Sequence, residues 1–596
     1  MIKQPLFLLS CLIGLTQVIT AQSVVKIQFQ LDAGSELSKI KSATTLGIRG
    51  NMAPLSWEKT LPMTDQNGDG IFEAEVEFQL SSPNATLEYK YIYDNTAWET
   101  IDNRLLWPGR QSAAVDKWNV APVFSPQDIP LISAQQLNAD FAIAKKAYLT
   151  LHPGIDRYKS LSEVERHFDG VGDVFNRDMD YRQAYLNFSK MVAAIQCGHT
   201  YANFYNQSGL VQQLVFNQSD KLPFCFRIID RQLVITRNLS ENESFAKGTA
   251  ILAINNLPVS QILDSLLTVV KADGDNNAKR IKDLEVTGFG RFESFDIYFP
   301  LFFPPRNNQY EIEAKTINGD MLKASISPVS RDERKKRLLE IYRESEPPVD
   351  GYWNFQLIDN TTAYLKLGTF VTWQMKMDWR DFLKKSFDKI KSENIKNLIL
   401  DIRGNEGGND EVIYELSKYL ANKSVTLEPA KNLVRYTSVP AELAPYLSSW
   451  DNSFKDFSGK VKPFKPGYYE LKNSGDISAL AAQKKAFNGK TYVLIDAANS
   501  SATFYLAKIL KDNQLATLVG QPTGGSQRGL NGGQTAFLRL PNSGIELDIP
   551  LIGTFYENKP AEGIQPDVEA RMSIADVIAG KDAVLEQALA LIREEK

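Results

Sequence analysis

The chain has 596 residues, 67 basic and 71 acidic, for a net charge of −4, with 43% hydrophobic and 23% charged residues. That mixture is typical of folded globular proteins and excludes extended disorder and a polytopic membrane protein. With no basic excess and no interleaving of aromatic and basic residues, a nucleic-acid recognition module is excluded too. At roughly 150 residues per domain, the length corresponds to about four domains.

The chain opens with one Lys within its first three residues, an apolar run from Pro5 to Ile19, and the small residue Ala21. This predicts a secretory signal peptide over residues 1–21, because the run is short for a membrane span and Ala21 suits a cleavage point. Leu8 to Cys11 resembles a bacterial lipoprotein box, but the apolar run continues past Cys11. The expected location is extracytoplasmic, periplasmic or secreted, with no transmembrane segment. Of three cysteines, Cys197 and Cys225 lie beyond the leader. Two thiols make no disulfide framework, and without a CxxC pair they make no zinc site, so each reads as a core residue.

Residues 22–125 alternate apolar and polar residues between turn signals, over Val24 to Leu31, Thr45 to Gly50, Ile71 to Phe78 and Leu87 to Tyr93. This predicts an all-β sandwich. Asp65 to Gly70 imitates the start of a calcium loop, but the twelfth position is Val76 where a bidentate Glu is needed, so a hairpin turn is expected. The segments Leu46 to Asn51, Leu55 to Trp57, Glu88 to Tyr91 and Trp98 to Arg104 resemble starch-binding carbohydrate-binding modules. The resemblance implies Trp57 and Trp98 as sugar-stacking residues and polysaccharide as a partner. The alternative is that both rings pack the sandwich.

Residues 126–209 turn helical, with apolar residues at helical intervals over Ala134 to His152 and Tyr181 to Cys197. Residues 210–345 return to strands. Within them Lys247 to Val259 resembles a segment of peptide-binding PDZ domains, although that family's glycine-rich carboxylate loop is not evident. From residue 346 to 596, strands and helices alternate: Thr362 to Phe370, Trp379 to Lys391, Asn397 to Arg403, Glu411 to Asn422, Thr491 to Ile495, Ala502 to Lys511 and Leu515 to Gly520. Such alternation predicts an α/β domain with a largely parallel sheet. The expected fold is therefore multidomain: a β-sandwich, a helical region, a PDZ-like β-rich domain and a C-terminal α/β domain.

The segment Thr491 to Lys508 reads as a buried strand, a small-residue turn, and a helix opening on Ser501. A hydroxyl there lies beside unsatisfied N–H groups and the positive end of the helix dipole, where an oxyanion is stabilised. The competing reading makes Ser500 or Ser501 a helix N-cap. A second glycine-rich turn, Asp401 to Asn409, also follows a strand and precedes a helix, and such turns expose backbone N–H groups to anions.

Asp401-x-Arg403-Gly-Asn-x-Gly-Gly408, Asn499-Ser-Ser-Ala-Thr503, Val519-Gly-Gln-Pro-Thr-Gly-Gly525 and Gly563-Ile-Gln-Pro-Asp567 occur in the order found in tricorn and C-terminal-processing serine peptidases, the tail-specific protease superfamily. The resemblance covers roughly residues 133–596 and is firmest after 360. It implies a crotonase-like catalytic domain, an acyl-enzyme mechanism with Ser501 as nucleophile, a peptide or protein substrate, and no metal or organic cofactor.

A serine needs a base. The processing peptidases use a Lys after the nucleophile helix, but Ser526 stands at that position, and Arg528 stays protonated. Lys508 lies roughly 10 Å along the helix from Ser501 at about 1.5 Å per residue. The tricorn branch uses a histidine from the preceding helical region. Of three histidines, His152 suits a turn, His167 sits among charged helix residues, and Gln196-Cys-Gly-His-Thr200 matches that branch's catalytic segment. His199 is thus the implied base, against the alternative of a structural histidine at a helix end. The implied orienting carboxylate is Glu562, with Glu557 as the other choice. The oxyanion donors are expected to be the N–H groups of Ala502 and Gly407, while Asp401 and Arg403 are expected to fix the turn by a salt bridge. A binding protein on a peptidase scaffold, without turnover, is the rival reading.

Overall fold

The computed structural model describes residues 23–594 apart from 44, 81, 83, 123, 125, 126, 473–478 and 485. The signal-peptide assignment lies outside the described residues. The chain divides between Leu131 and Ile132 into two compact units.

In the first unit, Ser23–Asp32 pairs antiparallel with Ile71–Leu80 and parallel with Ala113–Lys117. A second sheet joins Leu46–Gly50 to Leu61–Pro62 and Leu87–Tyr93, which also pairs with Ala97–Trp98 and Arg104–Leu106. Alternate residues of Ile71–Leu80 turn inward, so Phe78 meets Phe29, and Phe29 meets Tyr89 of the other sheet. Arg104 is wholly buried here. Its guanidinium donates to Glu99 (2.6 and 3.0 Å), Asp116 (2.8 Å) and the Lys117 carbonyl (2.8 Å). The Tyr89 and Tyr91 hydroxyls each donate to Asp116 at 2.8 Å. Asp65 accepts from the Gly68 and Gly70 N–H groups, which is the turn expected there. Trp57 and Trp98 lie outside this core: their rings are 6.3 Å apart, Trp98 is 37% exposed, and the Arg49 guanidinium sits 5.3 Å from its ring centroid.

The second unit begins with helices Ala134–Leu151, Leu161–Gly172 and Tyr181–Ala193. Capping boxes at Ser133 and Ser160 start the first two, and the Asp180 carboxylate caps the third. The third ends four residues before Cys197, where the sequence had been expected to carry it, and Gln196 takes φ +58°. His199 therefore sits in a loop beyond the helix end.

A six-stranded antiparallel sheet follows, ordered Met321–Ile326, Tyr310–Lys315, Ala250–Ile254, Gln232–Asn238 and Phe224–Ile229, with Leu257–Pro258 beside Ala250–Ile254. The segment 210–345, read as returning to strands, also carries helices, among them Val259–Leu267, Asn277–Asp283 and Ser294–Phe302. Each buries an apolar face or supplies groups to the cavity described below.

The last sheet runs Trp353–Leu357, Thr362–Leu367, Asn397–Asp401, Lys490–Ile495, Thr517–Gly520, Val568–Glu569. Only its first strand is antiparallel. Helices Trp379–Ser392, Glu411–Leu420 and Ser501–Asp512 share one core with it, and Ala583–Glu594 packs Val584, Ala588 and Ile592 in another. Burial on both faces explains the unbroken apolar runs of the central strands. Phe504, Leu506 and Leu510 seat the Ser501–Asp512 helix, each fully buried side chain contributing about 1.5–3 kcal/mol. Because Asp401 is in register with Leu494, the turns after these two parallel strands emerge side by side.

Candidate active site

Those two turns are joined by buried side chains. Asn499 donates to the carbonyls of Ile402 and Asn405 and accepts from the Asp496 N–H (2.9 Å). The Thr503 hydroxyl lies within bonding distance of the Asn405 carbonyl (2.7 Å) and the Ser500 carbonyl (2.8 Å). Asp496 accepts from the Gly404 N–H at 3.0 Å. Arg403 meets Asp401 through two nitrogens at 2.9 and 2.6 Å, and the Tyr364 hydroxyl donates to Asp401 at 2.7 Å, so this pair anchors the glycine turn.

Ser501 opens its helix at φ +51°, a left-handed conformation that costs a non-glycine residue on the order of 1–2 kcal/mol. The cap reading fails: Ser500 occupies the N-cap position without a side-chain cap bond, and its hydroxyl instead donates to the Glu406 carbonyl at 3.2 Å. Gly407 lies against the serine. A Cβ there would be 2.8 Å from Ser501 Cβ and 2.9 Å from the Ala502 nitrogen, and φ +105° suits only glycine.

The expected Gly407 donor is corrected. Its N–H is taken by the Asn405 side chain at 2.8 Å, whose amide is held in turn by the Leu367 carbonyl. The Gly408 N–H has no intramolecular partner among the described residues, since the neighbouring strand uses the Gly407 carbonyl and the Asn409 N–H. The Ala502 N–H belongs to a first helical turn, whose donors have no intrahelical acceptor.

Ser501, Gly408 and His199 all line one cavity of about 600 Å³, together with Lys271, Lys279 and Glu406. No hydrogen bond joins His199 to Ser501. The His199 Nδ1 is buried without a partner among the described residues, and a Cβ on Gly532 would lie 2.9 Å from Nε2, so only glycine leaves the ring its place. Burial, then Lys271, Lys279 and Arg157, lower the His199 pKa to about 4, which leaves it neutral near pH 7.

His152 is a different kind of histidine. Its Nδ1 accepts from the Gly154 N–H (3.1 Å), so Nε2 carries the proton toward Thr200 Oγ1 (2.8 Å), beside His199. His167 is exposed on its helix, with Nε2 3.3 Å from the Lys190 carbonyl.

Glu562 is not brought to His199. It is exposed, and the bond recorded for it is its backbone carbonyl accepting from the Gln527 N–H. Glu557 is also exposed and pairs with Lys431. Glu406, within the glycine turn, is the carboxylate whose charge acts on His199. Burial works to raise the Glu406 pKa, but Lys279 and Lys271 hold it below the usual carboxylate range.

Among the lysines, Lys508 pairs with Glu428 (2.8 Å) and Asp512. Lys279 is buried against Gly524 and contacts Asp283 (2.6 Å) and Glu406 (3.2 Å). Burial opposes its charge, but these carboxylates prevail and raise its pKa, so it is an ammonium and not a base. Ser526 is buried where the processing peptidases carry lysine, and its hydroxyl accepts from the Arg528 N–H.

Asn405, Asn499, Thr503 and Gly408 stood inside the quoted motifs, and their polar identity at a turn was the available signal. Glu406 stood at an unassigned position of the glycine-turn motif, and Lys271, Lys279 and Gly532 had no local signal, because the fold brings them from separate segments.

A hydroxyl at a strained strand-to-helix turn, facing open backbone donors in a cavity with a neutral imidazole, is the equipment of a serine-type hydrolase. Residues 361–570 match the model of Peptidase family S41, so this region is an S41 peptidase domain and the chain is a serine-type peptidase. His199 lies outside the matched segment. The fold is similar to that of mature CPAF complexed with lactacystin, at 13% identity over 77% of this chain and 97% of that one, with a TM-score of 0.52. A second structure of mature CPAF gives 12% identity, 74% and 94% coverage, and a TM-score of 0.50. The photosystem II D1 C-terminal processing protease is matched at 14% identity, 75% and 98% coverage, and a TM-score of 0.35. No curated protein matches the chain in sequence. No described helix is long and apolar enough to cross a membrane.

Proposed function

We propose that the protein cleaves peptide bonds through an acyl-enzyme on Ser501, with His199 as general base and acid. Ser501 Oγ attacks the carbonyl carbon while His199 takes its proton. The resulting oxyanion is received by the Ala502 and Gly408 N–H groups, and His199 returns the proton to the leaving amine. Water then repeats the sequence against the ester and frees Ser501. The observation that carries this reading is Ser501 at φ +51°, held against Gly407 beneath unoccupied N–H groups. A fluorophosphonate probe tests it: labelling should disappear in Ser501→Ala and fall sharply in His199→Ala. A folded wild-type protein that stays unlabelled overturns it in favour of ligand binding without turnover, a reading to which the missing His199–Ser501 bond gives some support.

We read this activity as extracytoplasmic, periplasmic or secreted, on the support of the apolar run from Pro5 to Ile19 followed by Ala21. The sheet bearing helix Val259–Leu267 is read as a PDZ-like module, and the 22–125 region as a starch-binding-like one. Trp98, exposed beside Trp57, supports sugar stacking there. Unretarded migration of the full chain in polysaccharide gels, unchanged by Trp98→Ala, would make that surface structural.

A further inference from the structure

The His199 Nδ1 has no partner among the described residues, so the ring takes its place largely from the main chain that carries it. After His199, the Thr200 hydroxyl meets His152 Nε2 at 2.8 Å. Before it, the bonds come from residues 273–275, in the loop between helices Val259–Leu267 and Asn277–Asp283. The buried Asp273 accepts from the Gly198 N–H at 3.1 Å, the Gly274 N–H donates to the Gln196 carbonyl at 2.9 Å, and the Gln196 side chain donates to Asp275 at 2.6 Å.

The contact at Gly198 is close enough to dictate the residue type. A Cβ there would lie 2.8 Å from Asp273 Oδ2, so a side chain would push the carboxylate and the loop apart. Burial raises the Asp273 pKa, and the Gly198 N–H leads the interactions that oppose this, ahead of Arg157, Lys271 and Arg280. The segment also reaches the other half of the site. The Asn276 side chain donates to the Thr523 carbonyl at 3.0 Å, and Lys279 contacts Glu406 of the glycine turn at 3.2 Å. Residues 273–279 thus bracket the His199 loop against the elements that flank Ser501, and Asp273 is the end of the bracket at the histidine.

We propose that Asp273 is a positioning residue: through the Gly198 N–H it fixes where His199 stands relative to Ser501, and the rate of proton transfer depends on that bond. The proposal rests on the peptidase reading for the reaction that the placement serves. Misplacing a reacting group by about 1 Å can cost on the order of 100-fold in rate, so a single bond to the loop that bears the base has a large effect.

The test compares the full-length wild type with three variants. Asp273→Asn keeps an oxygen acceptor for the Gly198 N–H, Asp273→Ala removes it, and Gly198→Ala drives the loop and the carboxylate apart. A fluorophosphonate probe gives two readings for each: the fraction of chains labelled at the end point and the rate constant of labelling. Asp273→Ala and Gly198→Ala should reach the wild-type end point roughly 10- to 100-fold more slowly, with the same fall in peptide kcat and KM changed by no more than about twofold. Asp273→Asn should stay within about threefold of the wild type, because the acceptor is retained. A role in stability alone would lower the end point and leave the rate constant of the folded chains unchanged. That result overturns the proposal, as does an Asp273→Asn variant as slow as Asp273→Ala. If the wild type is not labelled, the peptidase reading fails, and amide hydrogen exchange over residues 195–201 decides the placement separately. Exchange that is faster in Asp273→Ala than in Asp273→Asn and the wild type upholds it, and equal exchange in all three rejects it.

Discussion

The buried ion cluster of the first unit and the Ser501 cavity of the second both gather charged and polar groups, but they treat them in opposite ways. Around Arg104, Glu99 and Asp116 are both engaged, and two tyrosine hydroxyls complete Asp116. In the cavity, His199 Nδ1 and the Gly408 N–H lack partners among the described residues. Buried polar groups are costly when unpaired, so a saturated cluster belongs to folding, whereas a group of open ones is the mark of a site awaiting a ligand. Ser501 adds backbone strain to that contrast, and strained residues persist where surrounding bonds over-determine them.

The contrast breaks most readily at its extremes. Ser501→Ala should lower kcat by about 10⁴-fold or more with the fold retained, as measured by peptide turnover and circular dichroism. Arg104→Met should do the reverse, costing about 3–5 kcal/mol in the unfolding transition of the first unit because two carboxylates remain buried without a cation. Peptidase turnover on short peptides should then be unaffected.

The two histidines sharpen the comparison through pH. Burial, then Arg157 and Arg435, lower the His152 pKa from 6.5 to about 3. Below pH 6.5 the unfolded chain binds a proton that the folded one refuses, so stability is full above 6.5 and is lost as pH falls toward 3. Urea midpoints should therefore drop by the equivalent of on the order of 3 kcal/mol between pH 7 and 4, with His199 acting in the same direction. A flat profile would show that His152 is protonated in the folded state.

Gly407→Ala should reduce kcat/KM by about 100-fold, since its Cβ would displace Ser501 and the Ala502 nitrogen from their positions. The smallest effect has the opposite sign. Ser501→Gly should raise stability by about 1 kcal/mol in urea unfolding while abolishing turnover, because glycine relieves the left-handed strain.

Much of the sheet domain was legible because its signals are local. The apolar runs at 397–403 and 491–495 could only be strands covered on both faces, and the helices between them start and stop within a few residues of the expected positions. Ser501 and the glycine turn were legible for the same reason. The roles of individual groups were not. Gly407 and Gly408 are indistinguishable in sequence, and only the Asn405 side chain decides which N–H remains open. Glu562 was favoured by its nearness to the Gly563 to Asp567 motif, but the chain leaves its side chain in solvent while Glu406 comes to the cavity within the turn itself. The helices inserted at 259–302 escaped notice because short helices and strands share apolar spacing, and with them went Lys271 and Lys279.

The Asn499 and Thr503 bonds between the two turns have a mechanical consequence. They tie the turn that carries Ser501 to the glycine turn on one sheet, whereas the His199 imidazole arrives on a separate loop beyond Ala193. On the proposed mechanism, the half of the apparatus that stabilises charge is thus assembled independently of the half that moves protons. Affinity for a tetrahedral boronate and the rate of acylation are separable quantities in this molecule, and evolution or engineering can alter one while leaving the other in place.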